Sequence, residues 1–173
     1  MKKALFILLI FISPILLSQN KLNIKIDNKD WEPQSISSGI ETVMNMTVLE
    51  IIGQLEKERL DISVDYEAIK GKDSANFIFQ ENFMAPPGGV SISYAPKGLG
   101  RQQWVTSKGT ISYFDFEETN NTVSGKFKAT LTQMLDDNGG FVMTTPRPEM
   151  EISGEFINIK FTNNSQNQEK DKQ

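Results

Sequence analysis

The chain has 173 residues, of which 22 are acidic and 18 are basic, and its formal net charge is −4. Hydrophobic residues make up 38% and charged residues 23%, a balance typical of a globular domain and not of a disordered one. The acidic excess argues against nucleic acid as a partner, because a basic face is needed to neutralise phosphates, and against electrostatic attachment to anionic lipid.

Two residue types are missing from the sequence, cysteine and histidine. Without cysteine there is no disulfide, thiol nucleophile, thiolate zinc site or cysteine-linked lipid. Without histidine there is no imidazole base, no histidine-containing triad and almost no route to a catalytic transition-metal site. We therefore expect a non-enzymatic protein without cofactor or metal; any catalysis would rest on carboxylates, lysine, tyrosine or hydroxyls.

The amino terminus has the layout of a secretory signal peptide, which we assign to residues 1–18. Two lysines precede the apolar run 4–12, a Ser-Pro pair follows, and one small residue, Ser18, stands before the polar chain. We place cleavage after Ser18, with Gln19 as the alternative. A lipoprotein would need cysteine near position 19, and a membrane span needs about 20 apolar residues. We expect an exported protein, periplasmic or secreted, with no membrane span after processing.

Alternation of apolar and polar residues predicts β-strands along the mature chain. In the first strand Leu22, Ile24 and Ile26 share one face, and the polar residues 27–30 form a tight turn that leads to Trp31. The pattern is typical of a half-buried strand with one face on the core.

Residues 42–60 test the all-β interpretation, because they contain several helix formers and a helix over 41–57 is conceivable. Their β-branched residues and Gly53 favour a strand instead. This strand carries apolar residues on both sides, which predicts burial on both faces. A charged turn at 56–59 then returns the chain through Leu60–Tyr66 as a hairpin.

Further along, alternation predicts strands at 74–80, where Phe77 and Phe79 face together, and at 90–94. Between them, the paired prolines and glycines of 84–89 predict a loop, since proline cannot donate to a strand ladder. This loop, which also carries apolar residues, is an alternative site of partner contact, although an ordinary connection is favoured.

The clearest unit is a long hairpin with strands at 104–117 and 122–133, joined by a turn around Asn120 and Asn121. Alternation over that length indicates half-buried antiparallel strands. On the return strand one face is apolar and the other carries lysine and hydroxyl residues: Val123, Gly125, Phe127, Ala129 and Leu131 against Thr122, Ser124, Lys126, Lys128 and Thr130.

The last strand, 149–162, changes phase part of the way along. The apolar positions slip by one residue near Phe156 and Ile157. Because a one-residue slip swaps the faces of a strand, the pattern predicts a bulge there, or a strand that crosses between two packed layers. Residues 163–173 are polar and are expected to form a flexible tail.

Several of these segments resemble an uncharacterised family of small exported β-rich proteins and lipoproteins of Bacteroidota, a domain of unknown function. The similar segments are an opening strand that ends in a turn before tryptophan (24–31), a central hairpin (107–112 and 119–127) and a closing strand (152–159). The chain departs from the family in Asn28 for the usual glycine, in lacking the lipidation cysteine and in the Pro-Pro-Gly-Gly loop. The resemblance implies a secreted β domain without assigned activity and supplies no catalytic residue.

Four aromatic residues are the candidate ligand contacts: Trp31, Tyr94, Trp104 and Tyr113. Aromatic rings on a β surface can stack on sugar rings, while neighbouring polar loops bond the hydroxyls. The competing interpretation, which we favour for the two tryptophans, is that these large rings plug the ends of the core.

Other candidate sites are weaker. The oxygen-rich loop 136–140 lacks the spacing of a calcium loop and is predicted to be a plain turn. Asp73-Ser74-Ala75 resembles a short O-glycan attachment pattern, with Ser74 as the acceptor.

Carboxylates share strand faces in two places and would be the catalytic groups of a glycosidase-like hydrolase, which needs two of them across a cleft. Solvated strand faces are the favoured explanation. The residues are Asp61, Asp65 and Glu67 on one strand and Asp115 and Glu117 on another.

Together these patterns predict one antiparallel β domain over 19–162, a sandwich or flattened meander barrel of about eight to ten strands. The expected function is an exported module that binds a glycan, a small ligand or an envelope protein partner. The alternatives are a carboxylate-dependent hydrolase and a structural component of an envelope assembly.

Overall fold

The computed structural model describes residues 20–43, 46–69, 75–76, 89–117 and 119–163. The predicted signal peptide with its cleavage positions Ser18 and Gln19, the acceptor Ser74, the phenylalanine pair and most of the proline-glycine loop lie outside the described residues, as does the tail from 164 onward.

The described residues form eleven strands and one helical turn, α1 (Tyr66–Ile69). The prediction of an all-β protein is confirmed. The strands are β1 (Lys21–Ile26), β2 (Lys29–Trp31), β3 (Ser35–Val43), β4 (Met46–Leu55), β5 (Glu58–Asp65), β6 (Ala75–Asn76), β7 (Val90–Ala95), β8 (Gln103–Glu117), β9 (Thr122–Leu135), β10 (Glu149–Lys160) and β11 (Thr162–Asn163).

All of these strands belong to one curled sheet, in the order β11-β3-β4-β5-β7-β8-β9-β10-β1-β2, with β6 beside β8. Pairing is antiparallel except between β11 and β3, which run parallel. β11 follows β10, the third strand from one end of this order, after the single residue Phe161, yet it pairs with β3 at the other end. The curl therefore brings the two ends of the sheet close together. A two-sheet sandwich is not confirmed.

The turns follow from residues that tolerate positive φ. The β1–β2 hairpin has a two-residue loop in which Asp27 and Asn28 have φ of 47° and 65°. Short polar side chains adopt this left-handed conformation most readily after glycine, and it matches the twist of the flanking strands. The β4–β5 turn is shorter than predicted, since Glu58 and Arg59 already pair with β4.

The described residues of the ambiguous segment 42–60 contain no helix, and most of them form strand β4, as the β-branched residues predict. β4 pairs with β3 on one side and β5 on the other, so its backbone hydrogen bonds go to the sheet. Val48 and Leu49 are both buried although they point to opposite faces, which confirms burial on two sides in this part of β4.

The predicted bulge in β10 is confirmed, because the register with β9 shifts between Phe156 and Ile159. β8 contains two more bulges, which the alternation pattern did not reveal. The extra residues are Ser107 and Ser112, and each serine hydroxyl donates to the β9 carbonyl opposite, on Thr130 and Lys126 respectively, at 3.1 and 3.3 Å. The serines thus bond across the strand pair where the ladder is interrupted.

The apolar faces of the strands meet in one core inside the curl. At one end aromatic rings pack together, with Phe116 lying 4.3 Å from Tyr66 and 4.7 Å from Phe161 between ring centroids. Nearby, Gly125 is required because a Cβ there would overlap the ring of Phe156, which is fully buried. Within the described residues, no helix has the length and apolarity to cross a membrane.

Candidate functional site

Three of the four candidate aromatic residues lie in the core. Trp31, Tyr94 and Trp104 are only 6%, 6% and 8% exposed. Trp31 and Tyr94 pack edge to face with their ring centroids 6.3 Å apart. This placement fits the interpretation that large rings close the end of the core, opposite the Phe116 cluster.

Glu58 joins two of these rings through one carboxylate oxygen. The Trp31 indole N–H donates to Oε2 at 2.7 Å, and the Tyr94 hydroxyl donates to the same atom at 2.6 Å. Burial, followed by the hydrogen bond to Glu58, raises the pKa of Tyr94 well above its usual range. Trp104 differs, because its buried indole N–H has no hydrogen-bond partner among the described residues.

Tyr113, the fourth candidate, lies on the outer face of the sheet and is 52% exposed. The bulge at Ser112 decides this orientation. Without the extra residue, Tyr113 would point the same way as the buried Ile111, two positions before it. With it, Tyr113 pairs with Lys126 on the outer face and Phe114 turns inward instead.

A cleft lies on this outer face, beside the strand position that pairs with Tyr113. Its volume is about 290 Å³, and it runs over β9, β10, β1 and β2. The polar and charged residues that line it come from cross-strand rows, because side chains on one face of neighbouring strands stand opposite each other. They are Asn23, Lys25, Asp30, Lys126, Ser153 and Glu155.

A second cleft of about 250 Å³ lies over β8, β9 and β10. Lys108, Thr110, Lys128 and Glu151 contribute to its wall, and Gly109 contributes no side chain to fill it. The two clefts lie side by side across β9, since Lys126 lines one and Lys128, two residues later on the same face, lines the other.

The acidic residues in these clefts already have partners. Asn23 donates to Glu155 at 2.9 Å, and the Thr130 hydroxyl donates to Glu151 at 2.8 Å. Asp30 forms an ion pair with Lys25 at 3.0 Å. Polar donors and one ammonium group therefore hold all three carboxylates.

Three lysines in and between the clefts are exposed, and among the described residues none of them has an ion-pair partner: Lys108, Lys126 and Lys128. We call Tyr113 and these three lysines the outer-face site. Its side chains can offer an aromatic face and three ammonium groups to a ligand that lies across the strands.

The predicted carboxylate sites do not line these clefts. Asp61 forms an ion pair with Arg59 at 2.7 Å, whereas Asp115 and Glu117 are exposed and Asp65 is buried. On the neighbouring strand, burial, with the charges of Asp61 and Glu41, raises the pKa of Glu50. Glu67 is exposed at the start of α1, not on a strand as predicted.

The loop after β9 is a turn, as predicted. Asp136 Oδ1 accepts hydrogen bonds from the backbone N–H groups of Asn138 and Gly140 at 2.8 and 2.9 Å, so the carboxylate organises the loop. No cluster of metal-ligating side chains is found in the described part of the chain.

Comparison of the chain with protein-family models, with curated proteins and with solved structures gives no match. The site therefore has to be interpreted from its own residues. Sequence reasoning identified Tyr113 but not Lys108, Lys126 and Lys128 as its neighbours. The alternating lysines of β9 are the available signal, but the alternation itself predicts only the polar face of a half-buried strand.

Proposed function

We propose that this protein is an exported, non-enzymatic β module that binds a glycan on the outer-face site. The observation that carries the proposal is the orientation of Tyr113. A bulge turns this ring out of the core, onto the face where its register partner Lys126 lines the first cleft. Bulges commonly re-aim a side chain at a functional site.

The chemistry of the site suits a carbohydrate. A sugar ring has an apolar face, which can pack on an exposed aromatic ring, and hydroxyls at its edge, which exchange hydrogen bonds with polar side chains. Ser153 and Thr110 offer hydroxyls in the two clefts, and Asn23 offers an amide. Small apolar ligands suit the site less well because its walls carry charges.

Two alternatives receive less support. For a hydrolase, Glu50 with its raised pKa and the ion-paired Asp61 would be the catalytic carboxylates, but neither of them lines the two clefts. For a structural component of an envelope assembly, edge strand β2 would have to pair with a partner, and it offers only three residues.

The test is a glycan array with the purified protein, followed by titration calorimetry on the best binder. We expect Tyr113→Ala to weaken binding at least tenfold, because it removes the aromatic face on which the sugar ring packs. Tyr113→Phe keeps that face and should retain most of the affinity. The matched control is Phe141→Ala, which removes an exposed aromatic ring from a loop away from both clefts.

Binding that survives Tyr113→Ala, or falls equally in Phe141→Ala, would contradict the proposed site. Release of new reducing ends from the bound glycan would instead support the hydrolase. In that case Glu50→Gln should abolish the release.

A further inference from the structure

We infer that the glycan is an anionic polysaccharide and that Lys108, Lys126 and Lys128 bind its acidic groups. The inference rests on the proposed function and specifies its ligand class. The chain as a whole has a formal charge of −4, but these three lysines, which form no ion pair among the described residues, lie together on one face.

The register places the three lysines at regular spacing. Lys126 and Lys128 are two residues apart on β9, so they lie on the same face of the strand and are separated by about 7 Å. Lys108 pairs with Thr130 and is therefore diagonal to Lys128, at about 7–8 Å. Tyr113 pairs with Lys126 at one end of this row. A ring and three evenly spaced cations match a polymer that repeats an acidic sugar.

The surroundings leave the lysine charges available. The carboxylates of Glu151, Glu155 and Asp30 are engaged by Thr130, Asn23 and Lys25. Glu155 is the register partner of Lys126 and keeps its charge, but its carboxylate bonds to Asn23 on the other neighbouring strand, and none of the three lysines has an ion-pair partner among the described residues. Each lysine therefore keeps a flexible stem and an ammonium group with three N–H donors, with which it can bind an acidic group.

Salt screening limits the effect of the acidic residues elsewhere on the chain. At physiological ionic strength charges interact over about 8 Å, so the lysine row acts on a ligand that lies on it, while more distant acidic surface has little effect. A longer polyanion such as nucleic acid would also meet the cationic row, but nothing in the site offers a series of stacking rings for successive bases.

The experiment compares polygalacturonate with its fully methyl-esterified form, which has the same backbone and no charge. We expect the charged polymer to bind at least tenfold more tightly, with affinity falling as salt is raised. A sulfated galactan is the second arm and distinguishes carboxylate from sulfate as the acidic group; tight binding of either polymer supports the inference.

The variant is the triple substitution K108Q/K126Q/K128Q, and the control K21Q/K57Q/K160Q changes the net charge equally at exposed positions outside both clefts. We expect the triple variant to lose the preference for charge and the control to keep it. Unchanged melting temperature in both variants shows that folding is intact.

The remaining outcomes separate the two proposals. Equal binding of charged and esterified polymers that Tyr113→Ala abolishes would overturn the inference and leave the glycan site standing. If neither polymer binds and only neutral glycans bind on the array, the inference is likewise overturned and the proposed glycan site still stands. Equally tight binding of single-stranded DNA, insensitive to Tyr113→Ala, would overturn both, because the face would then be a general polyanion surface.

Discussion

The two faces of the curled sheet use the same residue types for opposite purposes, and two glutamates on neighbouring strands show this best. Glu58 reaches the core side, where buried Trp31 and Tyr94 donate to its carboxylate. Glu50 lies on β4 near Asp61, and burial and neighbouring carboxylates raise its pKa. The first carboxylate satisfies buried donors, while the second is ionised at a cost.

The comparison shows that a polar side chain on the inner face needs a hydrogen-bond partner from the protein, whereas a polar side chain on the outer face does not. Inside, a polar group is tolerated only where it completes a hydrogen bond, because desolvation without a partner is costly. Outside, water satisfies the lysines of the outer-face site, so they can remain available to a ligand. Substitutions that remove inner-face partners should therefore have the largest effects on stability, and substitutions in the outer-face site should change binding.

The largest expected effect comes from removing the interior carboxylate. Glu58→Ala leaves the donors of Trp31 and Tyr94 without their acceptor, and each orphaned buried donor costs roughly 1–3 kcal/mol. We expect a loss of about 3 kcal/mol in the free energy of unfolding, measured by denaturant titration. Glu58→Gln keeps an acceptor oxygen and should lose about half as much. Equal losses in the two variants would mean that Glu58 contributes packing and not a hydrogen-bond acceptor.

A purely steric test on the same inner face should come next in size. In Gly125→Ala the added methyl group overlaps the Phe156 ring, which is fully buried and cannot move without repacking. Overpacking of this kind costs about 2 kcal/mol. Thermal unfolding would measure it, and the double variant G125A/F156L should recover part of the loss because leucine vacates the ring position. An additive double variant would argue against this contact.

The two buried tryptophans then separate hydrogen bonding from burial. Trp31→Phe removes a donor bonded to a carboxylate, whereas Trp104→Phe removes a donor that has no partner among the described residues. Both lose similar ring volume, so the difference isolates the hydrogen bond. We expect Trp31→Phe to be the more destabilising by about 1.5 kcal/mol in parallel urea titrations. The reverse order would show that the Trp104 indole is bonded after all.

The smallest effect belongs to the outer face and has the opposite sign. The raised pKa of Glu50 in the folded protein means that its ionisation is easier in the unfolded chain. Its charge therefore lowers stability at pH values above that pKa, and this cost disappears below about pH 4, where the group is protonated in both states. Glu50→Gln should stabilise the protein by about 0.5 kcal/mol at pH 7 and leave it unchanged at pH 3.5. A stabilisation that does not depend on pH would contradict the electrostatic cause.

Much of the fold could be predicted because it rests on local patterns. The long hairpin of β8 and β9, the strand at β4 and the bulge near Phe156 were all visible as alternation and its interruptions. The bulges at Ser107 and Ser112 were not, because a serine that bonds across to a β9 carbonyl looks in sequence like any polar strand residue. The bulge at Ser112 sends Tyr113 to the outer face, so the sequence identified Tyr113 as a candidate contact but could not give the reason for its orientation.

By itself, the sequence determined most of the strands and their apolar faces, although not β2, β3 and β11, and it excluded chemistry that needs histidine or cysteine. It could do so because periodicity and composition are properties of one segment at a time. Only the tertiary structure decided the strand order, the pairing of β11 with β3 and the side of the sheet on which each polar group lies. The reason is that register belongs to a pair of strands. The sequence around Glu58 and Glu50 does not identify the partners of either carboxylate, and their roles become distinct only when the sheet curls and brings buried donors to Glu58.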